Sequence, residues 1–308
     1  MGIFSKHYIK FFVHRYDKQV GIPYFDASDF EGLNKESYKF TNTDNIEIAY
    51  FYYYYDNYKT DKIVLFCHGM GPGHTAYMAE INELAKNGYK VLTLDYRGCD
   101  KSGGDYLKSL NKPTRDVIDL LNHLKIKEEI VLVGHSLGGY TALNVINLRN
   151  DIHKVVILSG FIEMSSLLMK FVPNKFILHR ILRFEEKTEP KYYGIDNISY
   201  LRNTNDEILY IQSTDDGMVP YDIGLQVVES ISNAHIHTIK LNDRKHNPNY
   251  THDAITYMNE VFGKYNQLIK DKKIKNDNDR IAYFKDVSLP RLVEQDQEII
   301  KSIVDFIE

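Results

Sequence analysis

The chain has 308 residues, a formal net charge of −4 and an ordinary apolar content of 43%. This length is enough to bury a large core, and α/β proteins of this size often form one domain. Lysines and arginines are scattered among carboxylates without a dense basic block, which excludes the charge pattern of a nucleic-acid-binding protein. No apolar stretch reaches the roughly 18 residues that a membrane-spanning helix needs.

The N-terminal segment Met1–Phe12 mixes apolar and basic residues. It lacks the uninterrupted apolar core and the small-residue cleavage site of a signal peptide. Two interpretations stay open for this segment. It packs against its own domain, which we favour, or it lies on a membrane surface as an interfacial helix and makes a peripheral membrane contact.

The chain contains two cysteines, Cys67 and Cys99. Two cysteines in a chain of this length do not form a disulfide framework, and they indicate a reducing compartment. We therefore expect two small buried side chains and a cytoplasmic protein.

Strand-like and helix-like segments alternate along most of the chain, from about residue 37 to residue 241. Such alternation predicts an α/β fold with a mostly parallel, eight-stranded sheet flanked by helices. The first two strands are expected to form an antiparallel hairpin, and the aromatic run Tyr50–Tyr55 indicates either an edge strand or a bias in composition. The predicted strands are Tyr38–Phe40, Ile46–Tyr54, Ile63–Cys67, Val91–Asp95, Glu129–Val133, Val155–Leu158, Ile208–Gln212 and His235–Leu241. The predicted helices are His74–Asn87, Thr114–Leu124, one running on from Tyr140, Tyr221–Ser232, one that begins at His252, and a terminal helix over Pro290–Ile307.

The alternation stops between residues 160 and 205, where the chain is apolar with basic residues interspersed. This stretch is too long for a plain connection and too apolar for a disordered one. We interpret residues 160–205 as a small helical cap inserted after the sixth strand, with residues 1–159 and 206–308 as the core domain. Its apolar side chains either line a pocket or bury themselves against the core.

A motif of the form G-x-S-x-G lies between the fifth predicted strand and a helix, at residues 134–138. In this context the motif is a nucleophile elbow. The turn is so tight that the positions two before and two after Ser136 must lack bulk, which accounts for Gly134 and Gly138. The turn also places the serine hydroxyl at a helix N-terminus, where a developing oxyanion is stabilised.

A serine hydroxyl becomes a nucleophile only with a nearby base and a group that orients the base. In the elbow architecture the acid and then the histidine follow later strands. Asp215 and Asp216 follow the strand Ile208–Gln212, and His246 follows the last predicted strand. His252 is a weaker candidate for the base because it opens a helix.

The oxyanion needs two backbone N–H donors. One is expected from Leu137, which follows the nucleophile, and the other from Met70, in the glycine-rich loop after the third strand. His68 and Gly69 support that loop. A metal role for His68 with His74 is disfavoured, since no cluster has ligand spacing, and the phosphate-binding glycine motifs are absent. We therefore expect neither a metal nor a nucleotide cofactor.

Together these residues resemble the α/β-hydrolase superfamily, in particular monoglyceride lipase-like and lysophospholipase-like hydrolases and proline iminopeptidase-like serine peptidases. The resemblance spans about residues 45 to 265. It implies Asp216 as the acid, since the family places this residue three positions before the valine of a Val-Pro pair. The chain departs from the family at Asp100, where a glycine is usual. The motifs that carry the resemblance are His68-Gly69, Asp95-Tyr96-Arg97-Gly98 with Ser102, Gly134–Gly139, Asp216–Pro220 and His246.

The resemblance implies a cofactor-free serine hydrolase that cleaves a small or lipid-like carboxylic ester through an acyl-serine intermediate. An aminopeptidase is an alternative, in which Glu185, Glu186 or Glu189 of the cap would bind the free amino group. A thioesterase or an acyltransferase also stays open. A non-catalytic binding module is least favoured, because all three positions of the triad are filled.

Overall fold

The computed structural model describes residues 3–59 and 61–308, with only the backbone of residues 3–6, so Met1 and Gly2 of the N-terminal segment lie outside the described residues. Its centre is one eight-stranded sheet. The strands are β1 (Asn34–Thr41), β2 (Glu47–Tyr54), β3 (Lys62–Cys67), β4 (Lys90–Leu94), β5 (Glu129–His135), β6 (Lys154–Leu158), β7 (Glu207–Ser213) and β8 (Ile236–Leu241).

The strand order is β1-β2-β4-β3-β5-β6-β7-β8. β1 pairs with β2 and β2 with β4 in antiparallel directions, and the other neighbours are parallel. The prediction of the α/β-hydrolase fold with a mostly parallel sheet is confirmed. The aromatic run in β2 lies between two strands, so its assignment to a sheet edge was wrong.

Helices cover both faces of the sheet because its central strands are apolar on both sides. Successive side chains of a strand point to opposite faces, so Ile63 and Leu65 of β3 join one apolar cluster, and Val64 and Phe66 join the other. The helices are α1 (Ile3–Phe12), α2 (Met78–Lys86), α3 (Lys112–Leu124), α4 (Leu137–Leu148), α5 (Met164–Phe171), α6 (Lys175–Thr188), α7 (Asn197–Asn203), α8 (Leu225–Glu229), α9 (His252–Lys270), α10 (Asp277–Phe284), α11 (Leu289–Leu292) and α12 (Gln297–Ile307).

Three predicted helices are broken by contacts with distant parts of the chain. The segment His74–Tyr77 is a 3-10 turn before α2, and its first N–H donates to Asp95 at 2.8 Å. In the segment predicted as Tyr221–Ser232, the side chain of Gln212 accepts from the first N–H of α8 at 2.8 Å and fills the space beside Gly224. A 3-10 turn and the short α8 replace one continuous helix.

The terminal helix predicted over Pro290–Ile307 is divided into α11 and α12. Between them the N–H of Asp296 donates to the carbonyl of Asn249 at 2.8 Å. The carboxylate of Asp296 then caps α12 by accepting from the N–H groups of Glu298 and Ile299. α12 buries its isoleucines against the sheet, as the apolar pattern predicts.

The cap helices α5, α6 and α7 are inserted between β6 and β7. The N-terminal helix α1 packs on α6: the hydroxyl of Tyr8 donates to the buried carboxylate of Glu185, and the Tyr8 ring meets Phe184 edge to face. None of the described helices is long and apolar enough to cross a membrane. Helix α1 and the cap helix α6 pack against each other.

Candidate active site

Ser136 lies at the junction of β5 and α4 in a backbone conformation that side-chain-bearing residues rarely adopt, with φ 57° and ψ −120°. The turn is held by a hydrogen bond from the Ser136 N–H to the carbonyl of Leu158, at 2.9 Å. A Cβ on Gly138 would overlap the carbonyl oxygen of Cys67, and a Cβ on Gly134 would overlap that of Gly138. Both glycines are therefore required by the close approach of neighbouring backbone.

The loops after β7 and β8 bring Asp216 and His246 together. The Nδ1 of His246 lies 2.9 and 3.0 Å from the two carboxylate oxygens of Asp216. The carboxylate is buried and also accepts from the N–H groups of Met218 and Val219, at 2.8 and 3.0 Å. With Nδ1–H directed at Asp216, the free lone pair of the imidazole is on Nε2, the atom that a general base uses.

Asp215 has a different environment from its neighbour. Its carboxylate accepts from Ser213 Oγ at 2.5 Å and pairs with Lys245 Nζ at 2.8 Å. Burial raises the pKa of Asp215, but the hydrogen bonds from Lys245 and Ser213 outweigh it and lower the pKa to about 2. Asp216, and not Asp215, contacts the imidazole of His246.

The hydroxyl of Ser136 has no hydrogen-bond partner in the part of the chain that the structure describes, and no hydrogen bond joins it to His246. The ring centroid of His246 lies 4.7 Å from that of His135, which directly precedes Ser136. Hydrogen bonds between a nucleophile and its base are often long before substrate binds, and they shorten in the complex. His252, the weaker candidate, begins α9.

The glycine-rich loop after β3 packs directly against the elbow. A Cβ on Gly69 would overlap the Tyr77 hydroxyl and lie 3.2 Å from the Ser136 Cβ, so the loop and the elbow approach each other closely at this glycine. Among the described residues, neither the N–H of Met70 nor that of Leu137 has a hydrogen-bond acceptor. These are the two donors that the sequence nominates for the oxyanion.

Buried polar groups fix the same loop from behind. The Nδ1–H of His68 donates to the carbonyl of Gly69 at 2.7 Å, and its Nε2 accepts from the N–H of Tyr96 at 3.2 Å. Burial lowers the pKa of His68 to about 4, so this imidazole is neutral near pH 7. A neutral ring is what its one donated and one accepted bond require.

The ring nitrogens of His74, at the end of the loop, contact Asp95 and Tyr53 and not His68. Its Nδ1 lies 2.7 Å from the buried carboxylate of Asp95, and its Nε2 lies 2.8 Å from the hydroxyl of Tyr53. Asp95 also accepts from the N–H of Lys101 at 3.1 Å. Among the residues that the structure describes, no group of three or more histidine, cysteine, aspartate or glutamate side chains could hold a metal ion.

A chain of hydrogen bonds that was not predicted from the sequence connects the loop after β3, the end of β5 and the loop after β8. The N–H of Gly69 donates to the Tyr77 hydroxyl at 3.1 Å, and this hydroxyl donates to Nδ1 of His135 at 3.0 Å. The Nε2–H of His135 donates in turn to the carbonyl of His246 at 2.8 Å. Burial, followed by repulsion from His246, lowers the pKa of His135 to about 3, so the ring is neutral. We call Gly69, Tyr77, His135 and the His246 carbonyl the relay.

Ser136 opens into a cavity of about 200 Å³ whose walls are apolar. Two residues of the cap helix α5, Leu167 and Phe171, and two residues of α1, Phe11 and Phe12, contribute to it. No charged side chain of the described residues lines this cavity. Its remaining walls are formed by Met70, Leu110, Leu137, Phe161, Met218 and Val219.

The cap glutamates that the sequence suggests for binding a substrate amino group do not line this cavity. Glu185 is buried and accepts from Tyr8, Ser109, Leu110 and Asn111. Burial raises the pKa of Glu185 to about 7.

The other two cap glutamates are also placed away from the cavity. Glu189 is buried in ion pairs with Lys112 at 2.8 Å and Arg115 at 2.6 Å. Glu186 is exposed. None of the three cap glutamates lines the Ser136 cavity.

The loop that departs from the family pattern is bound by two residues that follow α1, Arg15 and Tyr16. Asp100 has a positive φ of 27°, its N–H donates to Tyr16 at 3.0 Å, and its carbonyl accepts from Arg15 at 2.8 Å. The Tyr16 hydroxyl in turn contacts the sulfur of Met70 at 3.7 Å. Tyr16 therefore contacts both the loop containing Asp100 and the loop after β3.

Comparisons with known proteins agree with the fold and with two of the sequence motifs, the loop after β3 and the elbow. An esterase structure from Pyrococcus furiosus superposes with a TM-score of 0.59 at 20% sequence identity, covering 83% of this chain and 98% of the esterase. Residues 58–194 match the model of a family described as serine aminopeptidase, S33. This match covers less than half of the chain, so over that part the chain is similar to the family, and its fold is that of the esterase. The family match includes the elbow and the loop after β3, and it ends before Asp216 and His246.

Two sequence relatives cover different shares of the chain. An epoxide hydrolase of Caballeronia sordidicola is 38% identical over 96 residues, which are 30% of this chain and 29% of that protein. An uncharacterized protein of Acanthamoeba polyphaga mimivirus is 22% identical over 228 residues, covering 68% of this chain and 75% of that protein. The chain thus matches less than a third of the epoxide hydrolase's length.

Proposed function

We propose that this chain is a serine hydrolase that cleaves carboxylic esters bearing an apolar chain, through an acyl-serine intermediate. The observation that carries the proposal is the apolar cavity lined by Ser136, and the hydrogen-bonded pair of His246 and Asp216 supports it. An apolar cavity with a few convergent polar groups is the usual form of a small-molecule site.

In this mechanism Ser136 Oγ attacks the ester carbonyl carbon while Nε2 of His246 takes its proton. The Asp216 carboxylate keeps the imidazole in the required tautomer and stabilises its charged form. The N–H groups of Met70 and Leu137 bind the oxygen that becomes negative in the tetrahedral intermediate.

Collapse of that intermediate releases the alcohol, which receives the proton from His246. A water molecule then attacks the acyl-serine, with His246 again as the base, and the acid product leaves. Each proton taken up by His246 is returned within the same half-reaction, and water is the final acceptor of the acyl group.

The matched family description makes an aminopeptidase the second candidate. Such an enzyme must neutralise a free amino group near the nucleophile. The carboxylates available for this task, Glu185 and Glu189, are occupied in buried contacts, and neither lines the cavity. Charge-free walls support an uncharged ester over an aminoacyl substrate, because burying an unpaired ammonium is costly.

A series of p-nitrophenyl esters, assayed with the wild type and with Ser136→Ala, tests the proposal. We expect turnover by the wild type and a loss of roughly 10⁶-fold in kcat in the variant. An aminoacyl naphthylamide is the comparison substrate, and we expect it to be cleaved poorly. Equal ester turnover by both proteins, or cleavage of the amide alone, would reject the ester assignment.

A further inference from the structure

An apolar groove adjoins the Ser136 cavity on the side of the N-terminal helix. The groove has a volume of about 620 Å³. Three phenylalanines, Phe11, Phe12 and Phe171, line both the cavity and the groove. The two spaces are therefore neighbours with these rings between them. The other walls of the groove are His7, Tyr8, Val172, Ile177 and Ile181.

Two of the shared rings face each other across the boundary. Phe12 of α1 and Phe171 at the end of α5 meet edge to face with ring centroids 5.9 Å apart. This contact joins the N-terminal helix to the cap next to the nucleophile's cavity. Truncation of either ring would remove part of the partition between the two spaces.

The helix α1 is fixed in this position by buried contacts. Tyr8 is 3% exposed, and its hydroxyl donates to the buried Glu185 of α6. Val13, just after the helix, is fully buried. The Tyr8 ring also stacks on Phe12 at 5.6 Å, so Phe12 is supported from within its own helix. A wall held in this way can select among ligands by shape.

We propose that α1 forms one wall of the site for the substrate's hydrocarbon chain, and that Phe12 and Phe171 set the accepted chain length. This inference rests on the proposed ester hydrolysis. Atoms of the hydrocarbon chain that do not fit into the Ser136 cavity extend into the groove, because the two spaces share walls and both are apolar. The helix lies outside residues 58–194, so the family match does not account for this wall.

The cavity volume gives the expected length. With about 30 Å³ for a group the size of a water molecule, a cavity of about 200 Å³ holds a chain of about six carbons. Each methylene moved from water into an apolar site raises binding about fourfold. In the wild type, kcat/KM is therefore expected to rise about fourfold per carbon up to about six carbons, and then to level off.

The test is the acyl-length profile of p-nitrophenyl esters from two to twelve carbons. The proteins are the wild type, Phe12→Ala, Phe171→Ala and the control Phe176→Ala, whose ring is 63% exposed on α6 and lines neither space. We expect the rise to continue beyond eight carbons in the first two variants. The ratio of kcat/KM for ten carbons to that for six should increase at least tenfold, and the control should keep the wild-type profile.

A second series, acetate esters of alcohols of increasing length, separates the two halves of the substrate. A shift in the acyl series assigns the chain to the acyl group, and a shift in the alcohol series assigns it to the leaving group. Either shift supports the wall and its length limit. Milder variants, Phe12→Leu and Phe171→Leu, are measured beside the alanine variants, and a thermal melt of each protein checks folding.

Unchanged profiles in both series for all folded Phe12 and Phe171 variants would overturn the inference. If the Phe12 and Phe171 variants lose the wild type's binding to phosphatidylglycerol vesicles and keep its chain-length profiles, the inference is also overturned. That result would assign the groove to a membrane contact. If the wild type hydrolyses no ester, the proposed function fails together with this inference. If the wild type hydrolyses esters and only the profiles do not move, this inference alone fails.

Discussion

Two regions meet at Ser136 and are built in different ways. The first consists of the loops after β3, β5, β7 and β8, which we call the edge loops. The second consists of α1, α5 and α6, which we call the cover. Polar hydrogen bonds to backbone groups hold the edge loops, as in the relay. Aromatic contacts such as Phe12–Phe171 dominate where the cover meets the cavity.

The difference separates chemistry from selectivity. Directional bonds with buried partners fix atoms within narrow limits, which proton transfer and oxyanion stabilisation require. Apolar rings tolerate changes of volume more readily than buried polar groups tolerate loss of a partner. We therefore expect substitutions in the edge loops to change kcat, and substitutions in the cover to change which esters are cleaved.

After Ser136→Ala, the largest expected effect in the edge loops comes from the pair of neighbouring aspartates. Asp216→Asn should lower kcat by roughly 10⁴-fold, because an amide favours the wrong tautomer of His246. Asp215→Asn is the matched control, since that carboxylate pairs with Lys245 and does not contact His246. We expect its kcat to stay within about threefold of wild type, as is usual for exposed ion pairs. Steady-state kinetics of both variants would contradict the assignment if the two losses were reversed.

The cover should contribute a pH-dependent term to stability through Glu185. Its pKa is raised to about 7 by burial from an ordinary value of 4.5, so the folded protein binds this proton more tightly than the unfolded chain does. The stabilisation is fully present below about pH 4.5 and is lost as the pH rises through about 7. The loss amounts to about 3 kcal/mol at 1.36 kcal/mol per pKa unit.

Urea unfolding at pH 5 and pH 8 measures this loss. Glu185→Gln should show a smaller decrease in the free energy of unfolding between these pH values than the wild type. Glu80, buried beside Asn249 outside the cover, has a pKa that burial also raises to about 7. Glu185→Gln therefore keeps part of the slope of the free energy of unfolding against pH, and Glu80→Gln should remove the other part. An unchanged slope in Glu185→Gln would contradict the account.

The smallest expected effect comes from the relay. Tyr77→Phe removes a hydroxyl that joins Gly69 to His135, and His135→Ala removes the bond to the His246 carbonyl. Each should lower kcat about tenfold with little change in KM, the size expected when a buried hydrogen bond of about 1 kcal/mol or more is lost. The double variant should lose less than the product of the two, because both act through one chain of bonds.

The control for the relay is Tyr38→Phe, which removes an exposed hydroxyl bonded to Glu36. Its kcat should equal that of the wild type. Fully multiplicative losses in the double variant would show that Tyr77 and His135 act independently. A large increase in KM would point to substrate binding in place of positioning.

The elbow could be predicted from the sequence because its geometry forbids side chains at specific positions. Gly134 and Gly138 leave no room for a Cβ, and such steric demands appear directly as residue types. The strands were also predictable, since continuous apolar runs mark strands buried on both faces. The roles of Ser136, Asp216 and His246 in catalysis stay predictions.

Features that depend on contacts between distant parts of the chain could not be predicted from the sequence. The relay joins Tyr77 to His135 across 58 positions, and no local pattern marks such a pair. Among the many apolar cap residues, only the tertiary structure selects Leu167 and Phe171 as cavity walls. The helix breaks at Gly224 and before Asp296 likewise arise from hydrogen bonds with distant groups.

The central claim is that Ser136 is a nucleophile activated in the folded protein. Intact-mass and peptide mass spectrometry after treatment with a fluorophosphonate probe tests it directly. The account predicts one adduct, on the peptide containing Ser136, formed by the folded wild type and absent from Ser136→Ala and from urea-unfolded protein. No adduct on the folded wild type, or an adduct on another residue that persists in Ser136→Ala, would contradict it.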